Sequence, residues 1–137
     1  MPNKVVVRYL DGRIERGSTA DFMPHKDLFH IVVEEDKDHK AIPVKMTNLK
    51  AVFFVKELGG KNRERPVSKI SFEDIKDKKL IGRKVKVIFI DGEELLGLTL
   101  GYSPQRRGFF FTPIDSESNN ERVFAVMSAV KDISFYD

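Results

Sequence analysis

The 137-residue chain contains no cysteine and no tryptophan. The absence of cysteine excludes disulfide bonds, thiol catalysis and thiolate metal sites, and it is typical of proteins in a reducing cytoplasm. No apolar run approaches the roughly 18–20 residues that a membrane-spanning helix needs, and the first residues lack the apolar stretch of a signal peptide. We therefore expect a cytoplasmic protein that makes no membrane contact.

Motifs of catalysis and metal binding are also missing. The sequence has no glycine-rich phosphate loop, no G-x-S-x-G elbow and no H-E-x-x-H pair. His25, His30 and His39 are placed in a loop, at a strand start and in an acidic turn, a spacing that does not indicate a metal site. We predict a protein that is not an enzyme and that uses neither a cofactor nor a metal.

The charge of the chain is nearly balanced, with a formal net charge of +3. The basic excess lies in the middle segment, residues 56–83, which carries nine basic and five acidic residues. Residues 84–137 carry six basic and eight acidic residues. This distribution is more typical of a solvated connector than of a basic face that binds nucleic acid. With 41% hydrophobic residues, the rest of the chain can build a core.

An internal repeat is the most informative feature of the sequence. At an offset of 80, and of 81 near the end of each copy, identical residues recur, several of them at glycine or turn positions. We infer two copies of one unit of about 52–54 residues. The matched pairs are Lys4/Lys84, Val5/Val85, Val7/Val87, Asp11/Asp91, Gly12/Gly92, Gly17/Gly97, Thr19/Thr99, Pro24/Pro104, Phe29/Phe109, Met46/Met127, Lys50/Lys131 and Phe54/Phe135.

Each copy begins with the alternation of a strand that has one buried face. An Asp-Gly pair follows in both copies, at 11–12 and 91–92, and predicts a type I′ hairpin turn. In the second copy, Gly97 and Gly101 suit a strand that bends sharply. The alternating side chains that we expect in the core are Val5, Val7, Tyr9, Val85, Val87 and Phe89.

Further strands with turn signals between them complete the second copy, at 94–102, 109–112, 122–126 and 132–136. Five short strands in each copy predict a small, strongly bent barrel. A breaker-rich, charged stretch predicts a basic linker over 57–69. Ser71 and Asp74 have the spacing of a capping box and predict a short helix over 71–80. The predicted units are residues 1–56 and 70–137.

The stretch from this helix to Tyr102 resembles a known signature. Gly82, the alternating hydrophobic residues of 85–90, Asp91-Gly92 and the pattern Gly-x-x-x-Gly-Tyr at 97–102 are similar to the first signature of Sm-like domains. Those domains are small five-stranded barrels that bind RNA in rings. The resemblance covers 71–136 and, more faintly, 4–55. It implies an all-β fold of two tandem five-stranded Sm-like or SH3-like small barrels. Residues 82–135 look still more like a bacterial family of uncharacterised function, which implies no chemistry.

The RNA-binding residues of Sm-like domains do not recur here. The loop 103–108 lacks the Asp and Asn of that family, and Met127–Lys131 replaces the basic turn before the last strand. A ligand or RNA site is instead predicted at four residues, because arginine grips phosphate and an aromatic ring offers a stacking surface. The same residues also fit an ordinary exposed loop with the tyrosine inside the barrel. They are Tyr102, Gln105, Arg106 and Arg107.

Three consecutive aromatic residues, Phe109, Phe110 and Phe111, form the predicted interface. Because side chains alternate along a strand, at least one ring must face outward. That ring either lies between the two copies or against a partner, or it offers an aromatic platform to a ligand.

These features favour a binding or adaptor module that recognises a protein partner. The alternative is RNA binding of low sequence selectivity through the basic loop. A third reading is a cyclic-dinucleotide sensor of the PilZ type, although Arg63-Glu64-Arg65 departs from the R-x-x-x-R spacing of that family. We expect the two tethered copies to pack as a pseudo-twofold pair, with part of the row 109–111 in the contact. Whether the pair assembles further is left open.

Overall fold

The structure is a computed structural model that describes residues 3–34, 37–58, 82–114 and 118–136. The predicted helix over 71–80 lies outside the described residues, as does most of the predicted linker.

In the described residues, ten β-strands form one antiparallel sheet, so this part of the chain is all-β. Strands β1 to β5 belong to the first repeat and β6 to β10 to the second. A single turn of 3₁₀ helix, Met46–Asn48 or Met127–Ala129, precedes the last strand of each repeat. The strands are β1 (Asn3–Tyr9), β2 (Ile14–Thr19), β3 (Leu28–Val33), β4 (Ala41–Lys45), β5 (Leu49–Val55), β6 (Arg83–Phe89), β7 (Glu94–Thr99), β8 (Gly108–Pro113), β9 (Asn120–Val126) and β10 (Val130–Tyr136).

The two repeats share one strand order. Across the first repeat the order is β5-β1-β2-β3-β4, and across the second it is β10-β6-β7-β8-β9. Equivalent residues also pair in the same register, since Val5 lies opposite Gly17 and Val85 lies opposite Gly97. The repeat in the sequence is therefore a repeat in the structure.

The repeats are joined head to tail. The last strand of the first repeat, β5, pairs with the fourth strand of the second, β9, with Val52 opposite Phe124. A twofold relation, which we expect from the sequence, would also pair the reciprocal strands β4 and β10. Within the described residues, these two strands are instead the outer strands at opposite ends of the sheet.

The Asp-Gly turns differ from the predicted type I′. Gly12 and Gly92 have φ values of 94° and 93°, but neither aspartate has a positive φ. The Gly12 amide donates to the Tyr9 carbonyl, and the Tyr9 amide donates to the Arg13 carbonyl. This is the pattern of a three-residue hairpin loop, a type I turn closed by a glycine bulge. The prediction of type I′ was wrong because Asp-Gly also suits a type I turn followed by a glycine bulge, which needs a positive φ only at the bulge glycine.

Glycine is required where β2 and β7 pass close to the next strand. A Cβ atom at Gly97 would collide with the Phe111 ring and lie 2.6 Å from the Thr112 carbonyl oxygen. Its equivalent, Gly17, meets the carbonyl of Val32 in the same way. A Cβ at Gly101 would meet no atom within 4 Å, so that residue is not needed for space.

Two apolar clusters form the core, and each draws on both repeats. The six side chains predicted to face the core are all buried, each at most 8% exposed, so that prediction is confirmed. Strand β5 is buried along its whole length, with Val52 and Phe54 in the first cluster and Ala51 and Phe53 in the second. Strand β9 divides its side chains in the same way. The central strand pair thus belongs to both cores.

Candidate functional site

A groove of about 830 Å³ lies where the two repeats meet. Pro24 and His25 line it from the β2–β3 loop of the first repeat, and Gln105–Arg107 line it from the equivalent β7–β8 loop of the second. Side chains of β8 and β9, including Phe110 and Arg122, complete the lining. We call this feature the inter-repeat groove.

The groove brings together most of the predicted site residues. Gln105, Arg106 and Arg107 line it, and so does the row 109–111. Within that row, Phe109 and Phe111 are buried in the second core, whereas Phe110 is half-buried and packs against the first.

Tyr102 lies apart from the groove lining. Its ring packs edge-on to Phe109, with 5.2 Å between the centroids, and lies 5.1 Å from the ring of Phe135. The tyrosine is therefore half-buried against the second core, and it is not among the residues that line the groove with the loop arginines.

Aromatic rings from both repeats meet beneath the groove. The Phe110 ring lies 5.0 Å from Phe124, 5.8 Å from Phe54 and 6.0 Å from Phe22, measured between centroids. Contacts of this kind stabilise the fold by more than the burial of each ring alone. Phe110 therefore joins the second repeat to the core of the first.

Sequence reasoning missed Arg122, which lies on this aromatic floor. Its Cζ atom is 4.4 Å from the ring centroid of Phe54 and 4.7 Å from that of Phe110. The signal was available, because alternation along β9 places Arg122 on the same face as Phe124. The sequence did not predict this contact because the ring of Phe54 comes from the other repeat.

The groove carries positive charge that carboxylates only partly neutralise. Arg107 forms an ion pair with Asp27 of the first repeat. In the part of the chain that the structure describes, neither Arg106 nor Arg122 forms an ion pair. Leu100, at the edge of the groove, is 80% exposed. The groove therefore combines an apolar floor with two cations that have no carboxylate partner among the described residues.

A model of a family of unknown function, DUF6982, matches residues 1–136. The chain belongs to the DUF6982 family. No curated protein and no solved structure shows significant similarity to it. Because the family description names no activity, the function of this DUF6982 protein has to be inferred from the groove.

The two repeats of the DUF6982 chain differ at the groove. Asp21 stands at the position equivalent to Gly101, and its carboxylate accepts hydrogen bonds from the His30 amide (2.9 Å) and the Thr19 hydroxyl (3.2 Å). Burial raises the pKa of Asp21, but the hydrogen bonds from His30 and Thr19 outweigh it and hold the pKa below its usual value. His30 in turn is equivalent to Phe110. Where the first repeat has a side-chain contact of 2.8 Å between Asp21 and His30, the second has open space beside an aromatic ring.

A second charged cluster links the two repeats. Lys50 is buried on β5, and its ammonium donates to Asp91 (2.7 Å) and Glu93 (2.6 Å) in the first turn of the second repeat. The hydrogen bond from Lys50 lowers the pKa of Asp91 below its usual value. Since all three groups are satisfied, the cluster holds the repeats together and offers no open site.

A metal-ligand cluster and a membrane-spanning helix are both missing from the described residues. There, no three His, Asp or Glu side chains converge as the ligands of a metal ion would. The same residues include no helix with the length and apolarity needed to span a membrane.

Proposed function

We propose that the chain is a non-enzymatic adaptor built from two tandem Sm-like small barrels, and that the inter-repeat groove binds a segment of a partner protein. The shared strand order, the glycines at the close approaches of β2 and β7, and the two apolar clusters support the barrels. The lack of cysteine supports a cytoplasmic location.

The composition of the groove carries the proposal. Peptide-binding grooves combine apolar pockets with a few polar groups that set orientation. Here Phe110 and Phe124 supply the apolar floor, and Leu100 presents an aliphatic side chain to solvent at the edge. A residue this large and this exposed gains free energy when a partner covers it.

RNA binding is the second candidate, favoured by the charges of Arg106 and Arg122, which no described carboxylate pairs with. Two contacts weigh against base stacking. The face of Phe110 is occupied by Arg122, and Tyr102 packs against Phe109 and Phe135. Any RNA contact would therefore go mainly to phosphate and would weaken steeply with salt.

The cyclic-dinucleotide reading has no support in the groove. Its candidate arginines, Arg63 and Arg65, lie outside the described residues. We rank it below protein and RNA binding.

The test of the adaptor function is a peptide selection with matched variants. Peptides recovered from a random 12-residue display library on the full chain are titrated against wild type, Leu100→Ser and Ile90→Ser. Ile90 is also aliphatic and 58% exposed, but it is not part of the groove lining. We expect Leu100→Ser to weaken binding about fivefold or more and Ile90→Ser to leave it unchanged. Equal affinity for wild type and Leu100→Ser would remove the groove as the binding site.

A parallel titration separates RNA from protein binding. A uridine 12-mer is added to wild type and to the double variant Arg106→Ala/Arg107→Ala at about 50 and 200 mM salt. Under the adaptor proposal, the RNA binds weakly and the double variant binds it as wild type does. Strong, salt-sensitive binding that the double variant loses would favour the RNA function instead.

A further inference from the structure

Arg122 differs from the other described arginines that lie on aromatic rings. Arg8, Arg13 and Arg83 each lie on one ring, whereas Arg122 contacts two, Phe54 and Phe110. The two rings come from different repeats. Arg122 is also the one among these four that lines the inter-repeat groove.

Stacking leaves the hydrogen-bonding edge of a guanidinium available. The cation interacts with a ring through its flat face, while its five N–H donors point outward in the plane. At Arg13, which lies 4.4 Å from the Tyr9 centroid, a carboxylate takes this edge: Nε donates to Asp11 at 2.9 Å. At Arg122 no described carboxylate does so. Within the described residues, the N–H donors of Arg122 therefore have no carboxylate partner and are open to a ligand.

We propose that Arg122 recognises a carboxylate of the bound segment, an aspartate or glutamate flanked by aliphatic residues. The inference rests on the adaptor function proposed above and names the chemistry of its partner. Arginine binds a carboxylate with two parallel hydrogen bonds, and contact with the rings of Phe54 and Phe110 restricts the guanidinium before the ligand arrives. Leu100, which lines the same groove and is 80% exposed, provides the surface for a flanking aliphatic side chain.

Charge complementarity favours an acidic segment. Arg106 adds a second groove cation without a described carboxylate partner, whereas Arg107 is already paired with Asp27. A single carboxylate satisfies one arginine with both of its oxygens, and the apolar floor suits the aliphatic neighbours better than it suits a chain of phosphates. An uncharged amide in place of the carboxylate would leave the cation without its counter-charge.

The experiment compares two defined peptides on the ¹⁵N-labelled full chain. The first is an acetylated, amidated pentapeptide of alternating leucine and glutamate, and the second has glutamine in place of glutamate. NMR titration locates the site and gives the affinity. We expect groove amides to shift with both peptides and the glutamate peptide to bind about tenfold more tightly. Arg122→Gln should abolish the preference, and Arg83→Gln, outside the groove lining, should keep it.

The outcomes separate this inference from the adaptor function. If both peptides bind in the groove with equal affinity, carboxylate recognition is wrong while groove binding stands. If neither peptide shifts a groove residue, both proposals fail. Binding of a phosphoserine counterpart alone would assign the site to phosphate and overturn the inference.

Two parts of the experiment protect it against misfolding. The peptide comparison on wild type needs no substitution and tests carboxylate recognition directly. Arg122→Lys retains the charge but not the planar pair of donors, so it should keep part of the preference. A full preference in Arg122→Gln, at an unchanged melting temperature, would exclude Arg122 as the recognising residue.

Discussion

Asp27 and Arg107 occupy equivalent positions in the two repeats and form an ion pair with each other. Their backbone roles are the same, because each carbonyl accepts a hydrogen bond of 2.8 Å from the equivalent methionine amide, Met46 or Met127. Only the charges of the side chains differ. One loop position has thus become an attractive contact between copies of the same unit.

This ion pair should tune binding more than stability. The Asp27 side chain is 80% exposed, so solvent screens the attraction. We expect Asp27→Asn to change the free energy of unfolding by less than about 1 kcal/mol and to tighten binding of the leucine–glutamate peptide, because Arg107 gains a free charge. Urea unfolding and peptide titration measure the two effects. A loss of more than about 2 kcal/mol would mean that the pair holds the repeats together.

Replacement of the buried Lys50 should, in contrast, lower the stability of the fold. Lys50→Met removes two hydrogen bonds between the repeats and leaves Asp91 and Glu93 without their cation. We expect a loss of about 1–3 kcal/mol in urea unfolding. Lys131 is the equivalent residue on β10 and is exposed, so Lys131→Met is the matched control, with an expected change within about 0.5 kcal/mol. Equal effects of the two substitutions would contradict this account.

The contribution of Asp91 should depend on pH. The hydrogen bond from Lys50 lowers the pKa of Asp91 in the folded state below that of the unfolded chain. The resulting stabilisation is therefore complete above the unfolded pKa of about 4 and is lost as the pH falls through the lower, folded pKa. We expect the stability difference between wild type and Asp91→Asn to be largest at neutral pH and to shrink in strong acid. Urea titrations across that range provide the measurement, and a constant difference would disprove the linkage.

The close approach of β7 and β8 predicts that Gly97 and Gly101 differ in how well they tolerate substitution by alanine. Gly97→Ala inserts a methyl group against Phe111 and the Thr112 carbonyl, and we expect a loss of about 1–3 kcal/mol. Gly101→Ala meets open space and should leave stability nearly unchanged. Thermal unfolding of the two variants is sufficient for the comparison. Tolerance of Gly97→Ala would mean that the strands lie farther apart than described.

The two outer strands should resist pairing with further copies. Pro43 on β4 stands at the position equivalent to Phe124 of β9. A proline has no backbone N–H to donate to a partner strand. On β10, the charged Asp132 replaces Ala51 of β5. We expect a monomer by light scattering, and partial self-association of the double variant Pro43→Phe/Asp132→Ala. A wild-type ring of six or seven barrels would contradict this prediction.

Local features of the fold were predictable from the sequence, whereas the pairing of strands between the repeats was not. Alternation identified the buried side chains of β1 and β6, since burial on one face depends on neighbours close in the chain. The turn type was missed because Asp-Gly serves both a type I′ turn and a type I turn with a bulge.

The site shows the same division. The loop 105–107 and Phe110 were identified because arginines and consecutive aromatic residues stand out in a sequence. Arg122 was not, because its environment depends on Phe54, which only the pairing of β5 with β9 brings near. Pairing between distant strands leaves no local pattern in the sequence.

The central position of β5 has a consequence during synthesis of the protein. After Val55, the last residue of β5, the ribosome adds about 65 residues before it reaches Asn120, the first residue of the partner strand β9. At about 5–20 residues per second, this interval lasts several seconds. Until it ends, the nascent chain presents an apolar strand with one unpaired edge, the kind of segment that aggregates or recruits chaperones. The protein is most vulnerable after its first repeat has been made and before its second can cover it.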